Sequence, residues 1–320
     1  MQKRLILIPC YNDWQALALL LELIEDFLSQ NQLDSDILMI DDGSTLPLDE
    51  TLFSKEWHGI NSIQVLKLRR NLGHQRAIAL GLAYVEDQLD HDLVIVMDAD
   101  GEDNPYEINK LLAKYYQAKD PKIIFARRSQ RSESRTFRFF YGIYRVIYQL
   151  LTGKEISFGN FSLIPRPILH RLVVVSEIWI HYASGAIKSR LPLTTVDIPR
   201  SRRLVGKSQM NFVSLVSHGL SSISIYGDVV GTRLLIVTSG LIVLCATLIA
   251  VVLAIRFGTT LAIPGWTTTA VGILSILMIQ SGLTLVVFSL IILANRNGVN
   301  FIPCRDYSVF ILELVKVFPK

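Results

Sequence analysis

A chain of 320 residues can bury at least one sizeable core and suggests one or two domains; its net charge of +4 is modest. Its three cysteines, Cys10, Cys245 and Cys304, are far apart and odd in number, which excludes a disulfide framework and a zinc site. The positive mean hydropathy of +0.37 comes mostly from residues after Gly231, whereas residues 1–210 read as an ordinary soluble α/β protein.

The opening "MQKRLILIPCYND" has a basic end and an apolar run. That run is about five residues, too short for a signal-peptide core of ~7 to 15, and reads as a first strand. An apolar-periodic helix through Leu28, "DILMID" (36–41), "IQVLKL" (63–68), a helix from about Gly73 to Asp87, and "DLVIVMD" (92–98) follow. Strands rich in Ile, Val and Leu that alternate with helices predict a mostly parallel sheet covered on both faces. Ligands of such sheets bind outside the carboxyl ends of the strands. Three polar turns emerge there: "PCYND", "DDGST" and "DADGED".

The last of these crowds Asp98, Asp100, Glu102 and Asp103 into six residues. Asp98 and Asp100, two residues apart at a strand end, can project toward one divalent cation of the magnesium or manganese kind, which prefers oxygen ligands. The other reading is a solvated acidic turn in which Asp103 or Asn104, before Pro105, caps a helix.

Six arginines from Arg127 to Arg145 are interleaved with Phe137, Phe139, Phe140, Tyr141, Tyr144 and Tyr148. An aromatic, basic, amphipathic segment (about 135–151) suits a helix in the membrane interface, and equally a single-stranded nucleic acid. The remainder of the chain favours the membrane. Leu234 to Ile255 is free of charge and spans ~33 Å as a helix, and about 268–294 supplies a second span. Arg233 lies before this hairpin, and Arg296, Arg305, Lys316 and Lys320 lie after it. The positive-inside rule then places both ends, with the soluble body, in the cytoplasm of an inner or plasma membrane. Residues 211–230 are expected as a juxtamembrane interfacial helix, 231–296 as the hairpin and 297–320 as a cytoplasmic tail.

The motifs "LIPCYND" (7–13), "MIDDGST" (39–45), "RNLGHQRAIALGLAY" (70–84), "VMDADGEDNP" (96–105), "FARRS" (125–129), "FGNFSLIPR" (158–166) and "RLVGKSQMN" (203–211), followed by two spans, resemble the family 2 glycosyltransferases of GT-A fold. Within them, the similarity is to the membrane-anchored polyprenyl-phosphate glycosyltransferases akin to dolichyl-phosphate mannose synthase. The resemblance implies a GT-A Rossmann-like catalytic domain over 1–210 and inverting transfer of a sugar from a nucleotide-diphosphate donor to an undecaprenyl or dolichyl phosphate, as in cell-envelope synthesis. It assigns Pro9, Tyr11, Asp13 and Asp42 to the donor, Asp98 and Asp100 (a DXD motif) with Glu102 to a Mg2+ or Mn2+ ion, and Arg127, Arg128 and Arg203 to the acceptor phosphate. Asp98, Asp100 and Arg128 are the catalytic set. The chain departs from the pattern at Asn160, Ser162 and Gln209, where relatives commonly carry charge, and at Gly101, where they carry a bulkier residue; Lys207 can substitute for the missing lysine. Two alternatives stand beside this: transfer to a sugar hydroxyl with Glu177 as base, or a membrane-tethered nucleotide-sugar scaffold without turnover. The expected partners are donor, lipid acceptor and bilayer, not nucleic acid. A homo-oligomer stays open, because one glycine in "GLIVL" is weak evidence for helix packing.

Overall fold

Aliphatic runs buried on both sides need helices on both sides, and the chain supplies them in alternation. In the computed structural model, which describes residues 2–48, 53, 55–128, 142, 146–153, 158–199, 201–206, 219–260, 262–296 and 301–319, strand β1 (Arg4–Cys10) leads to α1 (Trp14–Gln30), β2 (Ser35–Asp41), β3 (Ile60–Leu68), α2 (His74–Gln88) and β4 (Leu93–Val96). A short 3-10 turn (Pro105–Glu107), α3 (Ile108–Gln117), β5 (Ile123–Arg128), β6 (Phe158–Pro165), α4 (Arg166–Leu172), α5 (Tyr182–Lys188) and β7 (Leu193–Ile198) complete the body. The four strands read from sequence all form, within three residues of their expected ends.

These strands and a late β8 (Ile311–Phe318) make one eight-stranded sheet in the order β7-β5-β6-β4-β1-β2-β3-β8. The pairs β4–β1, β1–β2, β2–β3 and β5–β7 are parallel, whereas β6 and β8 run against their neighbours. Alternation along β1 divides the core. Ile6, Ile8 and Cys10 pack with α1 and α3, while Leu5 and Leu7 pack with α2, α4 and α5. The chain steps outward from β1 through β2 to β3, then returns to pair β4 with the other side of β1. That reversal opens a crevice at the carboxyl ends of β1 and β4.

By its internal contacts the chain divides into two units: residues 1–145, 155–225 and 300–320, and residues 146–154 and 226–299. Residues 300–320, most of the expected C-terminal tail (297–320), contribute to the first unit, because β8 finds backbone partners along the open edge of β3. In the second unit α6 (Gly227–Gly258) and α7 (Trp266–Arg296) are 32 and 31 residues long, ~48 and ~46 Å. Both are long and apolar enough to cross a bilayer and are little buried; they extend the expected spans by seven residues at the amino end and three at the carboxyl end of the first, and by two at each end of the second. A helix over 146–152 belongs to the same unit: Arg233 Nη1 donates to the Leu150 carbonyl at 2.5 Å, and Tyr148 meets Tyr226 edge to face. Of the two interfacial-helix expectations, residues 135–141, 143–145 and 211–218 lie outside the described residues. Residues 219–224 are helical in the first unit.

Candidate active site

The two turns that flank the crevice hold most of the predicted carboxylates. After β1, Pro9 ends buried in the strand, Tyr11 stands 44% exposed, and Asp13 begins α1. Asn12 takes a left-handed φ of 54°, a conformation asparagine tolerates. Its Oδ1 accepts N–H bonds from Thr45 and Leu46, both at 2.9 Å, and its own N–H donates to Ser44 Oγ at 3.0 Å. The loop after β1, expected to bind the donor, is thus laced to the loop after β2. In that second loop Asp41 accepts from Ser44 N at 2.8 Å. Asp42 is buried, and its two oxygens accept the Leu72 and Gly73 N–H groups, each at 2.8 Å. Burial raises the Asp42 pKa despite these donors and nearby His74.

After β4 the chain enters the acidic turn. Asn104, not Asp103, caps the following 3-10 turn by accepting from Tyr106 N, while Asp103 Oδ2 accepts from Asp98 N at 3.1 Å. Asp100 Oδ1 accepts from Glu102 N at 3.0 Å. Burial, followed by the charge of Asp98, raises the Asp100 pKa, and Arg203 offsets this only in part. Gly101 has φ +78° and is roofed by residues 201–206: Leu204 N donates to the Asp100 carbonyl and Ser201 N to that of Glu102, both at 3.0 Å.

Arg203, expected at the acceptor phosphate, spans the crevice. Its Nη1 is 3.2 Å from Asp100 Oδ2, its Nη2 is 2.5 Å from Asp13 Oδ2, and its Nε donates to the Val205 carbonyl. Arg127 is elsewhere, exposed and in a two-pronged pair with Asp197 of β7 (2.5 and 2.9 Å). The Arg128 side chain, Lys207 and Gln209 lie outside the described residues. Glu177, the base of the hydroxyl-acceptor reading, is paired with Lys188 at 3.1 Å.

Three polar residues of the site were not singled out from sequence as site residues. His74, the first residue of α2, places Nε2 3.0 Å from Asp98 Oδ1. Burial alone would lower its pKa, but Asp98, with Asp100 and Asp103 behind it, raises it. Asn160 of β6 places Nδ2 3.4 Å from the same oxygen, and Gln75 donates to Asn160 Oδ1 at 3.1 Å. "NLGHQ" was legible as a motif, but a lone histidine at a helix start has no ligand spacing to announce it.

The chemistry of this donor set is hard oxygen: Asp98, Asp100 and Glu102 cluster where burial and mutual repulsion leave negative charge needing a cation, which fits Mg2+ or Mn2+. Among the described residues no three His, Cys, Asp or Glu side chains are gathered to hold a metal unaided. The fit is therefore to an ion that takes further oxygens from a bound ligand.

Residues 5–172, more than half of the chain, match the profile of Glycosyl transferase family 2. The chain belongs to that family. This family 2 transferase is 28% identical over 218 residues to the undecaprenyl-phosphate 4-deoxy-4-formamido-L-arabinose transferase of Photorhabdus laumondii, covering 66% of this chain and 64% of the relative. It is 27% identical over 217 residues to the protein of the same name from Erwinia tasmaniensis, with the same coverage. The transferase thus matches less than two thirds of the length of these relatives. Among solved structures it is similar to mannosyl-3-phosphoglycerate synthase from Rubrobacter xylanophilus, at 15% identity and a TM-score of 0.48 over 70% of this chain and 72% of that one.

Proposed function

We propose that this transferase moves a sugar from a nucleotide-diphosphate donor to a polyprenyl phosphate at the cytoplasmic face of a membrane, using a divalent cation, Mg2+ or Mn2+. The observation that carries the reading is the convergence of Asp98, Asp100, Asp13 and Arg203 at the crevice between β1 and β4 in a chain that also holds two bilayer-length apolar helices. The names of its relatives support the lipid phosphate as acceptor.

Asp98 and Asp100 would hold the cation, with Glu102 beside them. When bound, the cation neutralises charge that develops on the departing nucleoside diphosphate. The Asn12 lacing and the Asp42 grip on Leu72 and Gly73 keep the two donor loops in one arrangement. Arg203 supplies a planar fork of donors suited to phosphate oxygens. A lipid phosphate with a second pKa near ~6 is already ionised, so it attacks without a protein base. The pairing of Glu177 with Lys188 agrees with that economy. One displacement at the anomeric carbon inverts its configuration. In this reading residues 1–145, 155–225 and 300–320 form the catalytic body, and 227–296 the membrane hairpin.

The test is a donor screen with purified protein and undecaprenyl phosphate, reading lipid-linked sugar. Product should vanish in chelator, return with Mn2+ or Mg2+, and be nearly abolished by Asp98→Asn. Full-rate transfer in chelator, or product only with a sugar-lipid acceptor, would sink the proposal.

A further inference from the structure

The orientation of the amides around Asp98 follows from one group that can only donate. The Tyr182 backbone N–H meets the Gln75 side chain at 2.7 Å, so Gln75 must turn its carbonyl oxygen there. Its NH2 group is thereby directed at Asn160, 3.1 Å away, and Asn160 must present its oxygen to it. The Asn160 NH2 group then faces the crevice, 3.4 Å from Asp98 Oδ1 and 2.9 Å from His74 Nε2. His74 Nε2 lies 3.0 Å from the same Asp98 oxygen. A carboxylate accepts only, so this nitrogen carries its hydrogen toward Asp98; it then takes no hydrogen bond from the neighbouring Asn160 NH2 group, whose acceptor is Asp98 as well. Two N–H donors, one from α2 and one from β6, converge on a single oxygen.

The aim of His74 has its own cause. Asp42 binds the N–H groups of Leu72 and Gly73, and Gly73 adopts φ 97°, which sets where α2 begins. His74 is the next residue. Ser162, two residues beyond Asn160 on β6, has its hydroxyl 2.7 Å from the buried Tyr182 hydroxyl and 2.9 Å from the Asn160 carbonyl, which ties β6 to the start of α5.

We propose that His74 and Asn160 are positioning residues that hold the Asp98 carboxylate in a fixed orientation for the divalent cation, with Gln75 setting the Asn160 amide and Asp42 setting the start of α2. This rests on the metal reading above. A ligand held by such partners has less freedom to lose on binding, and removing partners of this kind costs about 10- to 100-fold in metal affinity. An amide is required at position 160, since one end must accept from Gln75 while the other donates to Asp98. A glutamine can stand in at position 74, because its amide nitrogen reaches about as far as Nε2.

The experiment titrates purified full-length protein in detergent with MnCl2, alone and with UDP or GDP, reading free Mn2+ by electron paramagnetic resonance. His74→Phe and, separately, Asn160→Leu are each expected to weaken binding about 10- to 100-fold, with His74→Gln near wild type. Thermal melts confirm that each variant is folded, and Asn160→Leu serves if His74→Phe is not. Wild-type affinity in both folded variants overturns this proposal alone. Absence of any Mn2+ binding sensitive to Asp98→Asn in the otherwise unaltered protein overturns the metal reading and this proposal together.

Discussion

Gly101→Ala is expected to lift the roof from the acidic turn. An alanine there would adopt φ +78°, which costs roughly 1–2 kcal/mol for an L residue. Its Cβ would also stand 2.4 Å from Leu204 Cγ and 2.5 Å from Cδ1, with Leu204 Cβ at 3.4 Å, so the leucine must swing away or the loop must rise. Overpacking of that kind adds about 1–3 kcal/mol. The overlap is relieved if Leu204 is shortened; the backbone strain is not. Gly101→Ala/Leu204→Ala should therefore be more stable than the sum of the two single changes predicts, by about 1–3 kcal/mol. At ~2–4 °C per kcal/mol this is about 2–12 °C in melting temperature. Arg203 adjoins Leu204, so turnover should fall in Gly101→Ala and recover in part in the double variant. Single-variant effects that add to within about 0.5 kcal/mol would refute the contact.

Asn12→Gly keeps the left-handed backbone but deletes the lacing to Thr45 and Leu46; at about 1 kcal/mol per hydrogen bond the donor KM should rise about tenfold or more with kcat little changed, measured by initial rates. Acid should destabilise the body through Glu25 and Asp36. Burial pushes both pKa values up, but the N–H groups of His58, Gly59 and Ile60 around Glu25, and His91 and Ser62 at Asp36, hold them below their ordinary values of 4.5 and 3.8. A depressed folded pKa means stability that is complete above the unfolded value and lost as pH falls through the folded one. Melting temperature should accordingly drop below about pH 4.5, less steeply in Glu25→Gln. Ending the chain before Phe301 removes buried Tyr307 and Val317 and the stack of Phe301 on Trp179; at ~1.5–3 kcal/mol for each buried side chain, the melting temperature of the body should fall by several degrees. An unchanged melt would show that β8 contributes nothing to the sheet.

The parallel centre of the sheet was legible because strands buried on both faces must be continuous apolar runs, as "RLILIP" and "DLVIVMD" are. Three of the later strands were not. β6 carries Gly159, Asn160 and Ser162 among its first five residues, β7 holds two threonines and an aspartate, and β8 is half exposed, so none shows an apolar run of comparable purity. Of the site, Asp98 and Asp100 could be picked out because chain neighbours supply their context. The link from Arg203 to Asp13 joins residues 190 apart, and that from Asn160 to His74 joins residues 86 apart. Local pattern cannot encode such pairs; the sheet order creates them.

β8 bears most directly on the membrane reading. It pairs with β3 from Leu68↔Ile311 to Ile63↔Phe318; the Lys67 ammonium meets Glu313 at 2.8 Å, and Arg69 donates to the Phe310 and Ile311 carbonyls. The chain therefore leaves one folded unit after Ile225 and rejoins the same unit at Asn300. A segment that starts and finishes in one compact body crosses a bilayer an even number of times or not at all, whatever its flanking charges. Two helices of bilayer length satisfy that parity, whereas a single anchor would tear β8 from β3. In the proposed membrane reading, the excess of Arg and Lys at the hairpin ends would then have one task only, to select which side the whole body occupies.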